Sequence, residues 1–124
     1  MVTKVLASTG AVLGKYFVGS SPEAVIFDGT NIWVANTGSN NVTKLVAATG
    51  AIVGTYSVGS TPQGMAFDGA NVWVANSGSN SVTKLLASTG AALETFSVGS
   101  PNFVAFDGAN IWVTNAFGPG VSKL

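Results

Sequence analysis

The sequence predicts an all-β fold of four-stranded blades, a β-propeller, on two observations. The first is an internal repeat. FDGTNIWVANTGSNN begins at Phe27, FDGANVWVANSGSNS at Phe67 and FDGANIWVTNAFGPG at Phe106. Val-Thr-Lys recurs at Val2, Val42 and Val82, and a shorter Val121-Ser-Lys-Leu follows the last copy. The period is 40 residues from Phe27 to Phe67 and 39 from Phe67 to Phe106, because the third copy lacks an equivalent of Thr61. The second observation is the density of turn signals, which cut every copy into short apolar runs. A period of about 40 with several short strands per copy marks a propeller blade. Three blades are too few for a ring, since propellers use about four to eight.

The middle copy shows the elements in order. Pro62–Phe67 is a short apolar segment after the Gly59-Ser-Thr-Pro turn. Asp68-Gly69 is a strong hairpin signal. Asn71–Asn76 is a second strand, apolar on both faces as a strand packed on two sides must be. Ser77–Ser81 is a polar turn, Val82–Ala87 a third strand, and Ser88-Thr-Gly90 another turn. Ala91–Val98 is a fourth strand. Its Glu94, like Lys15 in the matching segment of the first copy, suits an outer, solvent-facing edge. We label the four A to D from inside to outside. The chain then divides into strands C and D at 2–20, full blades at 21–60 and 61–99, and strands A, B and the start of C at 100–124. The two ends are complementary halves of one further blade, so the chain holds three blade-equivalents.

The motif D-G-x-N-[IV]-W-V-[AT]-N, followed in the first two copies by G-S-N-x-V-T-K-L, resembles YVTN/NHL-type propeller repeats. It is also similar to the streptogramin lyase-like (virginiamycin B lyase-like) propellers. The resemblance covers essentially the whole chain and implies the propeller architecture. Lyases of that kind use a catalytic histidine and a bound metal ion. This sequence has no histidine, so the resemblance carries that activity to no residue here.

Composition narrows the function classes. Net charge is zero, and 8% of residues are charged against roughly 25% in ordinary globular chains. The 47% hydrophobic content rules out a disordered chain. No apolar run approaches the roughly 18 residues of a membrane span, and no export signal is evident. The expectation is a soluble protein of open compartment, and the resemblance is compatible with an exported parent. No cysteine is present, which removes disulfides and thiol chemistry. All five basic residues are lysines, so the fork that clamps phosphates is missing. Those lysines are scattered, which argues against a nucleic-acid surface.

Trp33, Trp73 and Trp112 share one repeat position. A ring of aromatic ligand platforms is conceivable, but a repeated core needs a repeated aromatic, and blade-to-blade packing is the preferred reading. Asp28, Asp68 and Asp107 open Asp-Gly hairpins, with Asn31, Asn71 and Asn110 three residues on. Calcium would need more oxygen ligands than one carboxylate per turn. Side-chain-to-backbone turn bonding is the expected role, and no metal site or cofactor is predicted. Lys4, Lys44, Lys84 and Lys123 on strand C are expected to run along apolar surface with solvated tips. Asn41-Val-Thr43 fits a glycosylation sequon, a weak signal.

Glu23, Gln63 and Asn102 follow Pro22, Pro62 and Pro101 and, unlike the packing positions, differ between copies. Asn36, Asn76 and Asn115 lie near them across the B-to-C turn. Phe117 replaces the equivalent of Gly78. These residues are the candidate site for a small polar ligand or peptide. No catalytic residue is predicted. The main titratable candidates are five carboxylates and five lysines, and Glu23 and Glu94 fall on different parts of the blade.

The expected function is a structural or binding scaffold that closes its ring by homo-oligomerisation. A dimer of six blades is preferred to a trimer of nine, because twofold assemblies are commonest. The alternatives are a divergent lyase-like or hydrolase-like propeller enzyme, and a natural or engineered fragment of a longer propeller.

Overall fold

The structure, a computed structural model, describes residues 1–118 and 120–124. Among them lie 13 strands and no helix. Two antiparallel meanders form complete blades. The first is β3 (Pro22–Phe27), β4 (Asn31–Asn36), β5 (Asn41–Val46) and β6 (Ile52–Ser57). The second is β7 (Pro62–Phe67), β8 (Asn71–Asn76), β9 (Ser81–Leu86) and β10 (Ala92–Ser97). At the N-terminal end, β1 (Val2–Val5) and β2 (Val12–Tyr16) form a two-stranded sheet. At the C-terminal end, β11 (Pro101–Phe106), β12 (Ile111–Asn115) and β13 (Val121–Lys123) form a three-stranded one. These are strands C and D, and strands A, B and a short C.

The repeat fixes register as well as strand count. Trp33 pairs with Lys44, Trp73 with Lys84 and Trp112 with Lys123. The Asp-Gly turns work because Gly29, Gly69 and Gly108 hold φ of 97°, 100° and 100°, a region closed to most side chains.

The 39-residue period has a different origin from the one read in the sequence. Ser21, Thr61 and Ser100 share a left-handed conformation, with φ of 49°, 55° and 44°. Their carbonyls accept from the backbone N–H of Thr37, Ser77 and Ala116 at 2.9, 3.1 and 2.8 Å. Ser100 therefore stands in the place of Thr61. The missing residue is the equivalent of Ser20 and Ser60, whose carbonyls accept from Gly38 and Gly78. The left-handed residue turns the chain into strand A and is kept; its neighbour only braces the next turn. Phe117, in Gly78's place, thereby loses that partner.

The core lies between blades, not within one. Trp33, Ala35 and Val42 of the first blade share a buried cluster with Met65, Val72, Val74, Leu85 and Ala87 of the second. Trp73 and Val82 meet Ile111 and Val113 of the terminal sheet in the next cluster. The inner strands approach closely: a Cβ on Gly64 would run into the Asn102 carbonyl and the Phe103 backbone.

Candidate functional site

The D-to-A and B-to-C connections share one face, because they are tied together. The Ser20 and Ser60 N–H groups donate to Ser39 Oγ and Ser79 Oγ at 2.6 and 3.0 Å. Thr61 and Ser100 donate to Asn40 Oδ1 and Asn80 Oδ1. On this side Glu23, Gln63 and Asn102 line one groove of about 490 Å³ between the inner strands. Val25, Met65, Phe103 and Val104 form its apolar floor. Thr37 Oγ1 lies 3.1 Å from Glu23 Oε2 and donates to the Pro62 carbonyl at 2.6 Å, so it anchors the first candidate to the second blade.

The asparagines do not join that groove. Asn36 and Asn76 are wholly buried. Asn36 Nδ2 donates to Asn41 Oδ1 and Thr43 Oγ1 at 2.8 and 2.9 Å. Asn76 Nδ2 reaches Ser81 Oγ and Thr83 Oγ1 in the same way. Among the described residues, Asn115 Nδ2 donates to Ser122 Oγ alone, at 3.1 Å. These side chains pin strand B to strand C. Gly19 and Gly59 explain themselves here, since a Cβ on either would meet the Asn Cβ at 2.7 Å. Phe117 is almost fully exposed at the C-terminal end.

At the opposite turn, each aspartate does more than shape a hairpin. Asp28, Asp68 and Asp107 accept two backbone N–H bonds through Oδ1. Through Oδ2 they accept the indole N–H of Trp33, Trp73 and Trp112 at 2.7, 2.8 and 2.6 Å. The sequence signal for this bond is the constant Asp-to-Trp spacing of five residues. Burial pushes the Asp28 and Asp68 carboxyls up. The indole and backbone donors outweigh it and hold both below the ordinary value. The Trp112 indole, then Asn110 and Ala109, holds Asp107 lower still.

A depressed native pKa stabilises the fold at pH above the unfolded carboxylate value, about 3.9. That stability is lost as pH falls through the native value. The urea midpoint should therefore drop steadily as pH is lowered from about 5 toward 2, and Asp68→Asn should flatten part of that slope. A wild-type midpoint constant over this range would refute the assignment.

One lysine of strand C, Lys44, departs from the expected solvated tip. Lys44 is 5% exposed. Its Nζ sits 5.0 Å above the Trp33 ring and donates to the Ala87 carbonyl of the next blade at 2.7 Å. Lys4 makes the same bond to Ala47. The sequence showed an apolar strand and a charge, but the carbonyl that receives it comes from the next repeat. A buried ammonium held by a carbonyl and a π face is a junction pin.

A second cleft, of about 320 Å³, opens between the β1–β2 pair and the first blade. Val25, Phe27, Ile32, Leu45, Ala47 and Tyr16 line it. It was not foreseen in the sequence.

Among the described residues no cluster of three or more His, Cys, Asp or Glu could hold a metal. No helix is long and apolar enough to cross a membrane. No protein-family model matches the chain, and no curated protein does. Solved structures do. Hydrazine synthase of Kuenenia stuttgartiensis superposes with a TM-score of 0.80 at 22% identity, over 93% of this chain and 36% of that one. A catalytically inactive virginiamycin B lyase from Staphylococcus aureus, with quinupristin, matches with a TM-score of 0.80 at 12% identity. That match covers 98% of this chain and 44% of the lyase. A computationally designed protein matches with a TM-score of 0.78 at 16% identity, over 94% of this chain and 73% of its own. The chain thus spans less than half of the hydrazine synthase and lyase chains. At these identities the likeness shows the fold, and the fold is that of a β-propeller.

Proposed function

We propose that this chain is a self-assembling propeller scaffold, in which copies complete each other's open blade. One observation carries the proposal: contacts made in full at the internal blade junction are half-made at the two ends, and the halves match. Trp33 and Trp73 are 0% and 7% exposed, whereas Trp112 is 40% exposed. Trp33 is buried with Met65, Val72, Leu85 and Ala87, and with Phe67 beside them. The repeat equivalents of those five are Val25, Ile32, Leu45, Ala47 and Phe27, which line the empty cleft at the other end. Trp33 and Trp73 lie against Tyr56 and Phe96, and the equivalent Tyr16 lines the same cleft. Tyr16 and Tyr56 cover Gly50 and Gly90. Phe96 has no such glycine after it, and open space lies beside Gly10, the one left over. A second copy's N-terminal half-blade, with Tyr16 and Gly10, and the first blade behind it would supply all three seats at once.

Two copies would make six blades and three would make nine. We favour two, on the commonness of twofold assemblies. In the ring, Glu23, Gln63 and Asn102 would repeat around the central opening and offer a small polar ligand or peptide a rim of carboxylate and amide groups. We propose no catalytic role. The likeness to YVTN/NHL-type repeats and to streptogramin lyase-like propellers supports a binding scaffold. The partial coverage of the natural neighbours favours a second reading, that the chain is a piece of a longer propeller, natural or engineered.

Light scattering of the purified chain decides between them. One defined molar mass, twice or three times that of the chain, is expected for the scaffold. A folded monomer at micromolar concentration would overturn it, and heterogeneous aggregates would favour the fragment.

A further inference from the structure

The two half-blades overlap by one strand. Strands C and D of the shared blade are β1 and β2, yet β13 already occupies a strand C position on β12. Its register is that of a true strand C: Trp112 pairs with Lys123, Val113 with Ser122 and Thr114 with Val121. The corresponding pairs in complete blades are Trp33 with Lys44, Val34 with Thr43 and Ala35 with Val42. A ring closed by β1 and β2 of a second copy therefore cannot also keep β13.

We infer that β13 is a placeholder, which β1 of a second copy displaces from the edge of β12. This rests on the ring-closing function proposed above and names the surface and the partner.

Four observations on named residues support β1 as the better occupant. First, β13 forms three register pairs with β12, where β5 and β9 form six with β4 and β8. Second, β13 is poorly covered. Val121 is 57% exposed, whereas Val42 and Val82 are 0% exposed at the same position. Third, β13 brings no strand D. β1 arrives already paired to β2, through Val2–Tyr16, Thr3–Lys15, Lys4–Gly14 and Val5–Val12. It thus carries Tyr16 to the place where Tyr56 lies against Trp33. Fourth, the polar partners transfer without loss. Asn115 Nδ2 bonds Ser122 Oγ. Thr3 stands at the position from which Thr43 and Thr83 serve Asn36 and Asn76. Lys4 likewise stands where Lys44 and Lys84 lie 5.0 Å over their tryptophans; Lys123 lies 5.7 Å over Trp112.

The physical logic is competition for one edge. An open strand edge invites pairing with another chain. A short strand from the same chain covers that edge at high effective concentration but low strength. A longer, pre-paired strand from a second copy replaces it once the concentration suffices. The tail then sets a threshold for assembly, since only the fraction of chains with β12 free is competent to close.

The chain has no cysteine, so an introduced pair reports one contact without background. Partners across an antiparallel ladder have Cα atoms about 4.5 or 5.5 Å apart, within the disulfide range of about 4.4–6.8 Å. Two double variants are compared: Val2→Cys with Thr114→Cys, and Thr114→Cys with Val121→Cys. Each is oxidised at the concentration where the wild type assembles, run on a non-reducing denaturing gel, and weighed by light scattering. The expected result is covalent multimers from the first variant and uncrosslinked chains from the second. An assembled second variant that crosslinks within its own chain, with no multimers from the first, overturns the displacement and leaves ring closure standing. Monomers throughout overturn both.

Removing Val121–Leu124 is the independent measurement. The concentration at half-assembly should fall, by about a hundredfold for a two-copy ring if the tail holds β12 about 90% of the time in the monomer, since both copies must free β12 to close it. A rise on removal would mean that β13 is a working blade strand.

Discussion

Replacing Trp73 by alanine is expected to lower the unfolding free energy by about 3–5 kcal/mol, the cost of removing a large ring from a packed interior. The indole lies at the junction of the second blade and the terminal sheet, among Val82, Val98, Ile111 and Val113. It stacks on Phe96 at 5.5 Å and takes the Lys84 ammonium at 5.0 Å from its ring. Its N–H also feeds Asp68. One truncation would open a cavity, expose a cation and leave a carboxylate with one donor fewer. Urea denaturation measures the loss. An unchanged midpoint with ligand binding abolished would instead make this ring a ligand platform. Trp112→Ala is the contrast. That ring is partly exposed in the single chain, so its removal should affect the assembled mass far more than the folding of one chain.

Deleting Met1–Ser20 is expected to abolish the ring altogether. The segment supplies β1 and β2, and with them the Lys4 bond to Ala47 and the Tyr16 ring over Gly50. Val25 and Phe27 are already exposed in the single chain, and without the segment Ile32, Leu45 and Ala47 lose the wall that β1 and β2 give their cleft, which leaves an apolar face of the kind that drives association or aggregation. Trp112 and Phe96 of every copy would also lose their proposed seats. Light scattering should show aggregated or unfolded chains in place of the defined assembly. A truncated chain with the wild-type molar mass and melting temperature would refute the role assigned to the N-terminal half-blade.

Much of the fold was legible because the sequence repeats. Each Asp-Gly hairpin and each Trp-Val pair appears three times at nearly constant spacing, so chance patterns cancel. Strand bounds such as Pro62–Phe67 and Asn71–Asn76 agree with the structure residue for residue. The candidate site was legible only in part. Glu23, Gln63 and Asn102 do meet in one groove, since equal repeat positions on inner strands must face a common axis. Asn36 and Asn76 looked the same on paper, being polar and next to a turn. Their side chains turn inward, because strand C offers hydroxyls at Thr43 and Thr83. Which way a strand-end asparagine points depends on its cross-strand partner, and no spacing within one strand reveals that.

The sequence alone determined the all-β propeller class, the repeat period and the strand order within a blade. Those follow from local turn chemistry and from counting repeats. Tertiary structure alone decided how one blade holds the next. Lys44 is buried because the carbonyl of Ala87, one repeat later, comes within 2.7 Å of it. Asp28 and Trp33 are one hydrogen-bonded unit because the hairpin folds the indole back over the carboxylate. The residue missing from the third copy is the equivalent of Ser60, because the left-handed position that turns the chain into strand A has to be kept. Each of these is a contact between segments whose separation in space the chain's own periodicity does not encode.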